Sequence, residues 1–525
     1  MAWPWRAFHR ILAPLERSIL PAGAGLPSRF QNATTSGRLD RSSHRHFHSD
    51  EASAARVSLK SRKLEEVVIA IGGNIGDRVR NFDTALRMMR SSGIQIKKHA
   101  CLYETAPMHL LDQPLFLNSA VTATTSLDPH ELLVALKEIE RKLGRSQGGV
   151  KYGPRPIDLD IIFYGDLELS SENLRVPHPM FSGRPFVLAP LLDLLGPEVE
   201  DSRHWSLVHQ VRRHWNDIGG EGCVKREGMK KVLPVGGKLL DWQERTYVMG
   251  VLNVTPDSFS DGGKFFTADK AVKQVQEMIE QGADFIDVGA QSTRPNAERL
   301  TTEEELRRIV PVLEGLKSTP DRSRVVLSVD TFDSNVARAA VELGADLIND
   351  VSGGSLDPKM LGTVAELGVP CVLMHMRGDP CTMLSEANTS YSDLPRDVAR
   401  ELAVSIEQAE VAGVPAWKII ADPGFGFSKT AEQNVELLAR LDTFRSGLTQ
   451  ARFGVGSIPV LAGISRKAFL GQIVGCSRAE DRDNATIAAA TTAILKGANV
   501  IRAHNVKAVR DGAMVADSIR KVLAS

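Results

Sequence analysis

Neither sign of charge prevails in this chain. Lys plus Arg and Asp plus Glu each total 64 over 525 residues, so no net field draws it toward nucleic acid or an anionic membrane. Long hydrophobic runs are also missing. None approaches the ~20 apolar residues that cross a bilayer as a helix, so no membrane partner is expected. Cysteine is scarce: Cys101, Cys223, Cys371, Cys381 and Cys476 are scattered, odd in number and without a CxxC pair. That pattern excludes a disulfide framework and a cysteine zinc site, and it suits a reducing compartment. A Gly-rich dinucleotide fingerprint is absent as well, which argues against a doubly wound nucleotide fold.

What is present changes character along the chain. The first 50 residues hold seven Arg, no Lys and only Glu16, Asp40 and Asp50 as acids. Trp5, Phe8, Ile11, Leu12 and Leu15 lie among Arg6, Arg10 and Arg17 in a basic amphipathic pattern. Residues 1–50 are therefore expected to be a transit peptide, disordered before import, addressing the chain to the mitochondrial matrix. From Glu66 the periodicity predicts strand Val67–Ile71, helix Val79–Arg90, strands Ile94–Tyr103 and Phe116–Thr124, a helix opened by Asp128-Pro129, and strand Ile157–Phe163. This β-α-β-β-α-β order is the α+β, ferredoxin-like arrangement, assigned to residues 64–218. Residues 219–241, rich in Gly, Lys and Arg and without sustained periodicity, read as a linker.

Residues 242–525 follow another rhythm. Eight short apolar segments, Tyr247–Asn253, Phe285–Gly289, Val325–Asp330, Asp346–Asn349, Cys371–Met376, Lys418–Asp422, Val460–Ile464 and Val500–Ala503, alternate with helical stretches. Eight strand–helix units over such a length predict an α/β TIM (β/α)₈ barrel.

Two groups of polar residues stand out. Asp158 and Asp160 lie two apart on a predicted strand, so both carboxylates point to one face. Such a pair suits a hard cation with phosphate ligands, though a solvated strand face accounts for the spacing equally well. Arg155, Arg145 and Lys151 in the preceding loop add phosphate-binding charge. In the barrel, Asn253, Asp330, Asn349, Asp422 and Arg502 end strands or nearly so, while Thr293, Arg294, Ser465, Lys467 and His504 follow them. Active sites of such barrels gather at that end. Convergent carboxylates and an amide suit a flat heterocycle with N–H donors, and a basic rim of Arg294, Lys467, Arg502 and His504 suits phosphate.

The motifs in the first half resemble those of 6-hydroxymethyl-7,8-dihydropterin pyrophosphokinases: Gly72-Gly73-Asn74, Asp112-Gln113-Pro114 with Phe116 and Asn118, Gly153-Pro154-Arg155-Pro156-Ile157-Asp158-Leu159-Asp160 and Val176-Pro177-His178. The resemblance implies that Asp158 and Asp160 hold two Mg²⁺ ions bridging ATP, and that Arg145 and Arg155 handle its phosphates. It also implies that Phe116 and Phe186 sandwich the pterin while Thr105 and Asn118 bond its edge, and that a loop over Gly144–Gly149 closes on ATP.

The second half resembles dihydropteroate synthases. The stretches that carry this are Met249-Gly250-Val251-Leu252-Asn253-Val254-Thr255-Pro256-Asp257-Ser258-Phe259, Ile286-Asp287-Val288-Gly289-Ala290-Gln291-Ser292-Thr293-Arg294-Pro295, Asp422-Pro423-Gly424-Phe425-Gly426-Phe427, Ser465-Arg466-Lys467 and Ile501-Arg502-Ala503-His504. This implies that Asp330, Asn349, Asp422 and Lys467 hold the pterin, Asn253 a third Mg²⁺, and Arg502 and His504 the diphosphate. Phe259, Thr293, Arg294, Phe427 and Ser465 would build the p-aminobenzoate pocket. Gln291 stands where many bacterial relatives have Glu, so no carboxylate role is carried over there.

Together the resemblances imply a two-enzyme folate-biosynthesis chain of the plant organellar type, acting on ATP, hydroxymethyldihydropterin and p-aminobenzoate, and homo-oligomeric through its barrel helices. A corrinoid methyltransferase barrel and a catalytically dead pterin-binding scaffold are the competing readings. The first lacks the Thr-Arg-Pro and Ser-Arg-Lys segments, and the second predicts missing metal or phosphate groups.

Overall fold

Alternating burial along β1 (Glu65–Gly73), with Val67, Ile69 and Ile71 shut away from solvent, sets the centre of the first sheet. The computed structural model describes residues 63–145, 152–196, 205–254, 268–292, 297–452 and 458–523. The expected transit peptide, residues 1–50, lies outside them. After β1 come α1 (Arg78–Ser91), β2 (Gln95–His99), β3 (Leu102–Thr105), β4 (Phe116–Thr125), α2 (Pro129–Lys142) and β5 (Asp158–Tyr164). Asp128 caps α2 by accepting from His130 and Glu131 backbone N–H groups, with Glu131 reaching back to complete a capping box. The antiparallel order β5-β1-β4-β3 is the ferredoxin-like one, and apolar faces of α1 and α2 pack against β1, β4 and β5.

One expected strand is two. Ile94–Tyr103 breaks at Ala100–Cys101 because the Cys101 N–H is taken by the Asp193 carboxylate at 3.0 Å instead of by the neighbouring strand. β2 and β3 then pair separately with β4. The chain continues through short β6 (Leu169–Ser170) and β7 (Arg175–Val176) to α3 (Pro185–Leu195) and α4 (Trp205–Asp217).

Residues 219–241 are not the irregular linker expected of them. They form α5 (Glu221–Arg226) and a hairpin of β8 (Lys230–Val235) and β9 (Lys238–Asp241) turned by Gly236 and Gly237, both at positive φ. The strands are too short, and Pro234 too disruptive of the pattern, for periodicity to reveal them. β8 pairs with β3 and extends the first sheet.

The barrel strands are β10 (Tyr247–Asn253), β11 (Phe285–Gly289), β12 (Val326–Asp330), β13 (Leu347–Asp350), β14 (Cys371–Met374), β15 (Ile419–Asp422), β16 (Leu461–Ala462) and β17 (Val500–Ala503). Between and after them run α6 (Ala268–Glu280), α7 (Thr302–Lys317), α8 (Ser334–Glu342), α9 (Met360–Leu367), α10 (Leu394–Ala412), α11 (Ala431–Ala439), α12 (Leu441–Ala451), α13 (Ala468–Val474), α14 (Asp483–Leu495) and α15 (Val506–Leu523). All eight strands are parallel, and the Ala421–Val460 bridge closes β15 onto the start of β16. Side chains alternate in and out as the strand period requires. Phe285, Val326, Leu347 and Val500 make an apolar floor, roofed from below by Leu233, Val235 and Trp242 of the hairpin region. Two residues further up each strand stand Asp287, Ser328, Asn349 and Arg502. The interior turns from apolar to polar in a single step.

A second contact ties the first sheet to the barrel. The Glu410 carboxylate on α10 accepts from the His99 backbone N–H at 2.9 Å, meets the His99 ring at 2.8 Å and pairs with Arg452 at 2.5 Å. Lys418, also buried, reaches Asp83 of α1 at 2.6 Å, and Trp417 packs edge-on against Phe82 and His99. Removing one partner of a buried pair leaves the others uncompensated, at a cost of about 3–5 kcal/mol. Glu410→Ala is expected to lose stability on that scale, read as a lower denaturation midpoint of the whole chain; an unchanged midpoint would contradict this account.

Candidate active sites

The first site is built where β1, β3, β4 and β5 end beside α3. Gly72, Thr105, Phe116, Asn118, Arg155, Asp158, Asp160 and Phe186 line one open pocket of about 750 Å³. Gly72 faces Asn118 across the β1–β4 pairing, and a Cβ there would sit 2.9 Å from the Asn118 amide oxygen. Asn118 in turn donates to Thr105 Oγ1 at 2.8 Å. Phe116 is only half-buried while the residues after it on β4 are buried, so its ring serves the pocket rather than the core. Gly73 admits no side chain, since its Cβ would lie 2.5 Å from the Pro156 carbonyl oxygen. Asn74 links three segments: it donates to Pro114 O at 3.0 Å and Gln113 Oε1 at 3.1 Å, and accepts from Arg155 N at 2.8 Å.

Asp158 and Asp160 do share a face of β5, with Leu159 buried between them. Their environments differ. Asp158 is gripped by Arg145 and by Arg155 at 2.6 Å. Burial would raise its pKa, but those two guanidiniums outweigh it and hold the carboxyl below its ordinary range. Asp160 meets Lys137 and His178, each at 4.0 Å, and burial together with the Asp158 charge pushes its pKa up. Buried Glu140, which no motif singled out, bonds Arg145 at 2.8 Å, Lys137 at 2.7 Å and the Leu159 N–H at 2.8 Å. It fixes the arginine and the strand together. Arg184, which also lines the pocket 5.9 Å from the Phe186 ring, was likewise missed, having no signature beyond preceding Pro185. Most of the Gly144–Gly149 loop, with Lys151, lies outside the described residues. Among the described residues, no group of three or more His, Cys, Asp or Glu side chains gathers in metal-binding geometry.

The second site is the polar layer of the barrel. Asp287 is fully buried and accepts from Arg502 Nε at 2.7 Å, Asn349 Nδ2 at 3.0 Å and Ser328 Oγ at 2.5 Å. Arg502 also donates to Asp330 at 2.9 Å. Arg502, expected near the end of the eighth strand in a basic rim with Arg294, Lys467 and His504, turns its guanidinium into the barrel interior. It points inward because the strand alternation puts Val500 and Arg502 on the same side as the barrel floor. Asp287 lies within one of the family motifs, but a carboxylate in mid-strand carries no signal of its role in the sequence without its partners.

Asp330, Asp422 and Lys467 share this interior. Burial drives Asp330 up to about 7 against the pull of Arg502, and Asp422 up to about 6 against Gly424 N–H and Lys467. Burial and the Arg502 charge lower Lys467 to about 8. The Lys467 ammonium lies 4.0 Å from the centre of the Phe427 ring. A Cβ on Gly426 would come within 2.8 Å of the Lys467 Cδ, so this loop position must stay bare. Asn253 ends β10 partly exposed. Ser465 Oγ accepts from the His504 N–H at 3.1 Å and stands 3.0 Å from His504 Nδ1. Gln291 uses its amide fully, donating to Ser292 and Glu298 carbonyls and accepting from Leu300 N–H, a set a carboxylate could not satisfy. Phe259, Thr293 and Arg294 lie outside the described residues.

Comparison with known proteins agrees with this division. Residues 68–196 match 7,8-dihydro-6-hydroxymethylpterin-pyrophosphokinase and residues 249–504 match pterin binding enzyme. The chain is 50% identical over 477 residues to a mitochondrial folate synthesis bifunctional protein of Arabidopsis thaliana, covering 90% of this chain and 86% of that one. It is 50% identical over 486 residues to the mitochondrial folate synthesis bifunctional protein of Pisum sativum, covering 91% and 93%. In fold it resembles the crystal structure of Plasmodium falciparum HPPK-DHPS with pteroate, with a TM-score of 0.69 at 21% identity over 87% of this chain and 98% of that one.

Burial, then Arg502, Arg466 and Lys467, lower His504 to about 3. The folded pKa lies below the unfolded value of about 6.5, so this group's contribution is present above 6.5 and fades as pH falls toward 3. The His504 ring is thus expected to stay neutral by NMR through pH 5 to 6; a ring that titrates with an ordinary midpoint would contradict its burial.

Proposed function

The chain belongs to the bifunctional folate synthesis proteins, in which a hydroxymethyldihydropterin pyrophosphokinase precedes a dihydropteroate synthase barrel, and from that membership we propose how its own residues divide the work. It pyrophosphorylates 6-hydroxymethyl-7,8-dihydropterin and condenses the product with p-aminobenzoate to 7,8-dihydropteroate. The observation that carries the residue-level reading is the presence, in one chain, of an Arg-gripped Asp158/Asp160 pair and a buried Asp287–Arg502–Asp330 array.

In the first domain, proposed as residues 64–218, the pterin lies between Phe116 and Phe186 with Thr105 and Asn118 on its edge. Its hydroxymethyl oxygen attacks the β-phosphorus of ATP; the new O–P bond forms as the bond to the AMP oxygen breaks. Arg145 and Arg155 exchange Asp158 for phosphate oxygens and spread the developing charge. The unneutralised charge that raises Asp160 fits a cation beside it, so Asp158 and Asp160 would hold Mg²⁺. That ion would screen the triphosphate. The hairpin within residues 219–241 belongs structurally with both halves.

In the barrel, 242–525, Asp330, Asn349, Asp422 and Lys467 hold the pterin. The p-aminobenzoate nitrogen bonds to the methylene carbon as the carbon–oxygen bond to diphosphate breaks. Asp330 and Asp422 favour positive charge building on the pterin, while Arg502 and neutral His504 receive the leaving group. Phe427 and Ser465, with Phe259, Thr293 and Arg294, flank p-aminobenzoate. Asn253 offers a single neutral oxygen, which does not by itself fit a divalent ion. A matrix location fits the basic first 50 residues, and the names of the Arabidopsis and pea relatives agree with a mitochondrial one. A homo-oligomer through the barrel helices is favoured by exposed Met514, Val515 and Ile519 on α15.

Replacing Asp158 and Asp160 together by Ala should abolish pyrophosphoryl transfer yet leave condensation of supplied pterin diphosphate intact. Lys467→Ala should do the reverse, with condensation down roughly 100-fold or more. Loss of both activities by either variant, without unfolding, would refute the two-site assignment. For condensation, Asp330 and Asp422 must be ionised and Lys467 charged, so kcat/KM should rise between about pH 6 and 7 and fall above about 8. Lys467→Arg should move the alkaline limb upward; a limb that stays put assigns it to another group.

A further inference from the structure

The loop that follows Asp422 is held by a buried lysine that the reaction itself does not use. From Asp422 to Ser428 the chain folds back against the residues after β14. The His375 N–H donates to Asp422 O at 2.9 Å, and a Cβ on Gly424, at φ +72°, would lie 2.0 Å from His375 O. Arg377 N–H donates to Ser428 Oγ at 2.7 Å, and that hydroxyl donates on to Arg377 O at 3.0 Å. Ser428 itself takes a positive φ of 50° while fully buried, an uncommon conformation for a residue with a side chain.

Lys429 completes this fold. Its side chain enters from the far end of the loop, 3% exposed, and its ammonium has three donors and three acceptors: Gly424 O at 3.1 Å, Phe427 O at 3.0 Å and His375 Nδ1 at 3.2 Å. The last acceptor is available because His375 Nε2 faces Glu401 at 3.0 Å, which assigns the ring proton to Nε2 and a lone pair to Nδ1. Glu401 is in turn fixed by Arg377 at 2.9 and 2.5 Å. The two carbonyls that Lys429 gathers flank the turn bearing Phe425, Gly426 and Phe427, and Gly426 and Phe427 are the positions against which Lys467 packs.

We propose that Lys429 is a positioning residue of the condensation, clamping the Asp422–Ser428 loop so that Asp422, Phe427 and Lys467 hold one arrangement around the pterin. This rests on the assignment of Asp422 and Lys467 as pterin ligands. If the ammonium were replaced by an apolar side chain, the Gly424 and Phe427 carbonyls would lose this donor. Charge acts in the same direction. Lys429 faces Asp422, Glu401, Arg377, Lys467 and His375; burial lowers its own pKa to about 7, and in its charged form it favours the ionised form of Asp422. Burial and the Lys429 charge lower His375 to about 4, so the ring remains a neutral acceptor wherever the enzyme works.

The test compares Lys429→Met, Lys429→Arg and Asp422→Asn in the full chain, with pyrophosphokinase activity as the internal measure of folding. Lys429→Met is expected to raise the KM for pterin diphosphate by roughly tenfold or more, the consequence of stranding buried hydrogen-bond partners. It should also move the acid limb of kcat/KM to higher pH, since Asp422 loses a nearby cation, and Lys429→Arg should restore part of both. A purely structural role would lower stability and yield while leaving the KM and the acid limb of the surviving enzyme unchanged, and that result overturns the proposal. If Lys429→Met loses pyrophosphokinase activity through misfolding, His375→Leu, which removes one acceptor and leaves the loop backbone intact, is read by the same two measurements. Should Asp422→Asn also leave the KM unchanged, the fault lies with the pterin-site assignment; an effect of Asp422→Asn alone counts against Lys429.

Discussion

The Asp287 carboxylate is the constraint on which the synthase half depends. It is fully buried in the middle of a barrel and survives there by accepting from Arg502, Asn349 and Ser328 at once. A lone charge at that depth would be too costly to keep, so each donor is committed in place before any ligand arrives. Arg502 then has a fixed plane, from which it also reaches Asp330. The polar layer of the barrel is therefore held in one orientation by its own hydrogen bonds.

The same balance of burial against neighbours governs the kinase pocket, with a different outcome. Two carboxylates on one strand face are driven apart in their affinity for protons: Asp158 down, under two guanidiniums, and Asp160 up, beside a charge and with distant cations. Buried Glu140 supports this by holding Arg145 from behind. In both halves a buried carboxylate sets the position of an arginine at the site: Glu140 that of Arg145, and Asp287 that of Arg502.

Much of this was legible in the sequence because the period of a strand is short and its signal local. The limits of β10, β11 and β17 follow directly from their apolar runs, and Asp158 with Asp160 needed only a spacing of two. What escaped notice depends on contacts distant in the chain. The break at Cys101 is made by Asp193, and the hairpin of β8 and β9 is stabilised by a strand more than a hundred residues earlier and by the barrel floor after it. Asp287 and Lys429 look like any buried-strand acid or helix-leading lysine until Arg502 and His375 are beside them. Phe116 illustrates the converse: its alternation with core residues is ordinary, so its place in a pocket could be expected from the family motif but not from periodicity.

The β8–β9 hairpin has a bearing on how such a chain can be divided. One strand of it covers the open edge of β3, and its apolar side chains seal the lower mouth of the barrel. A cut ahead of β8 would give a free synthase but leave the kinase sheet with a naked border, able to recruit another copy. A cut behind β9 would keep that border dressed and leave the synthase with an unsealed base of Phe285, Val326 and Leu347. No single point of scission serves both enzymes, so their fusion is a matter of shared material and not merely of a common transcript.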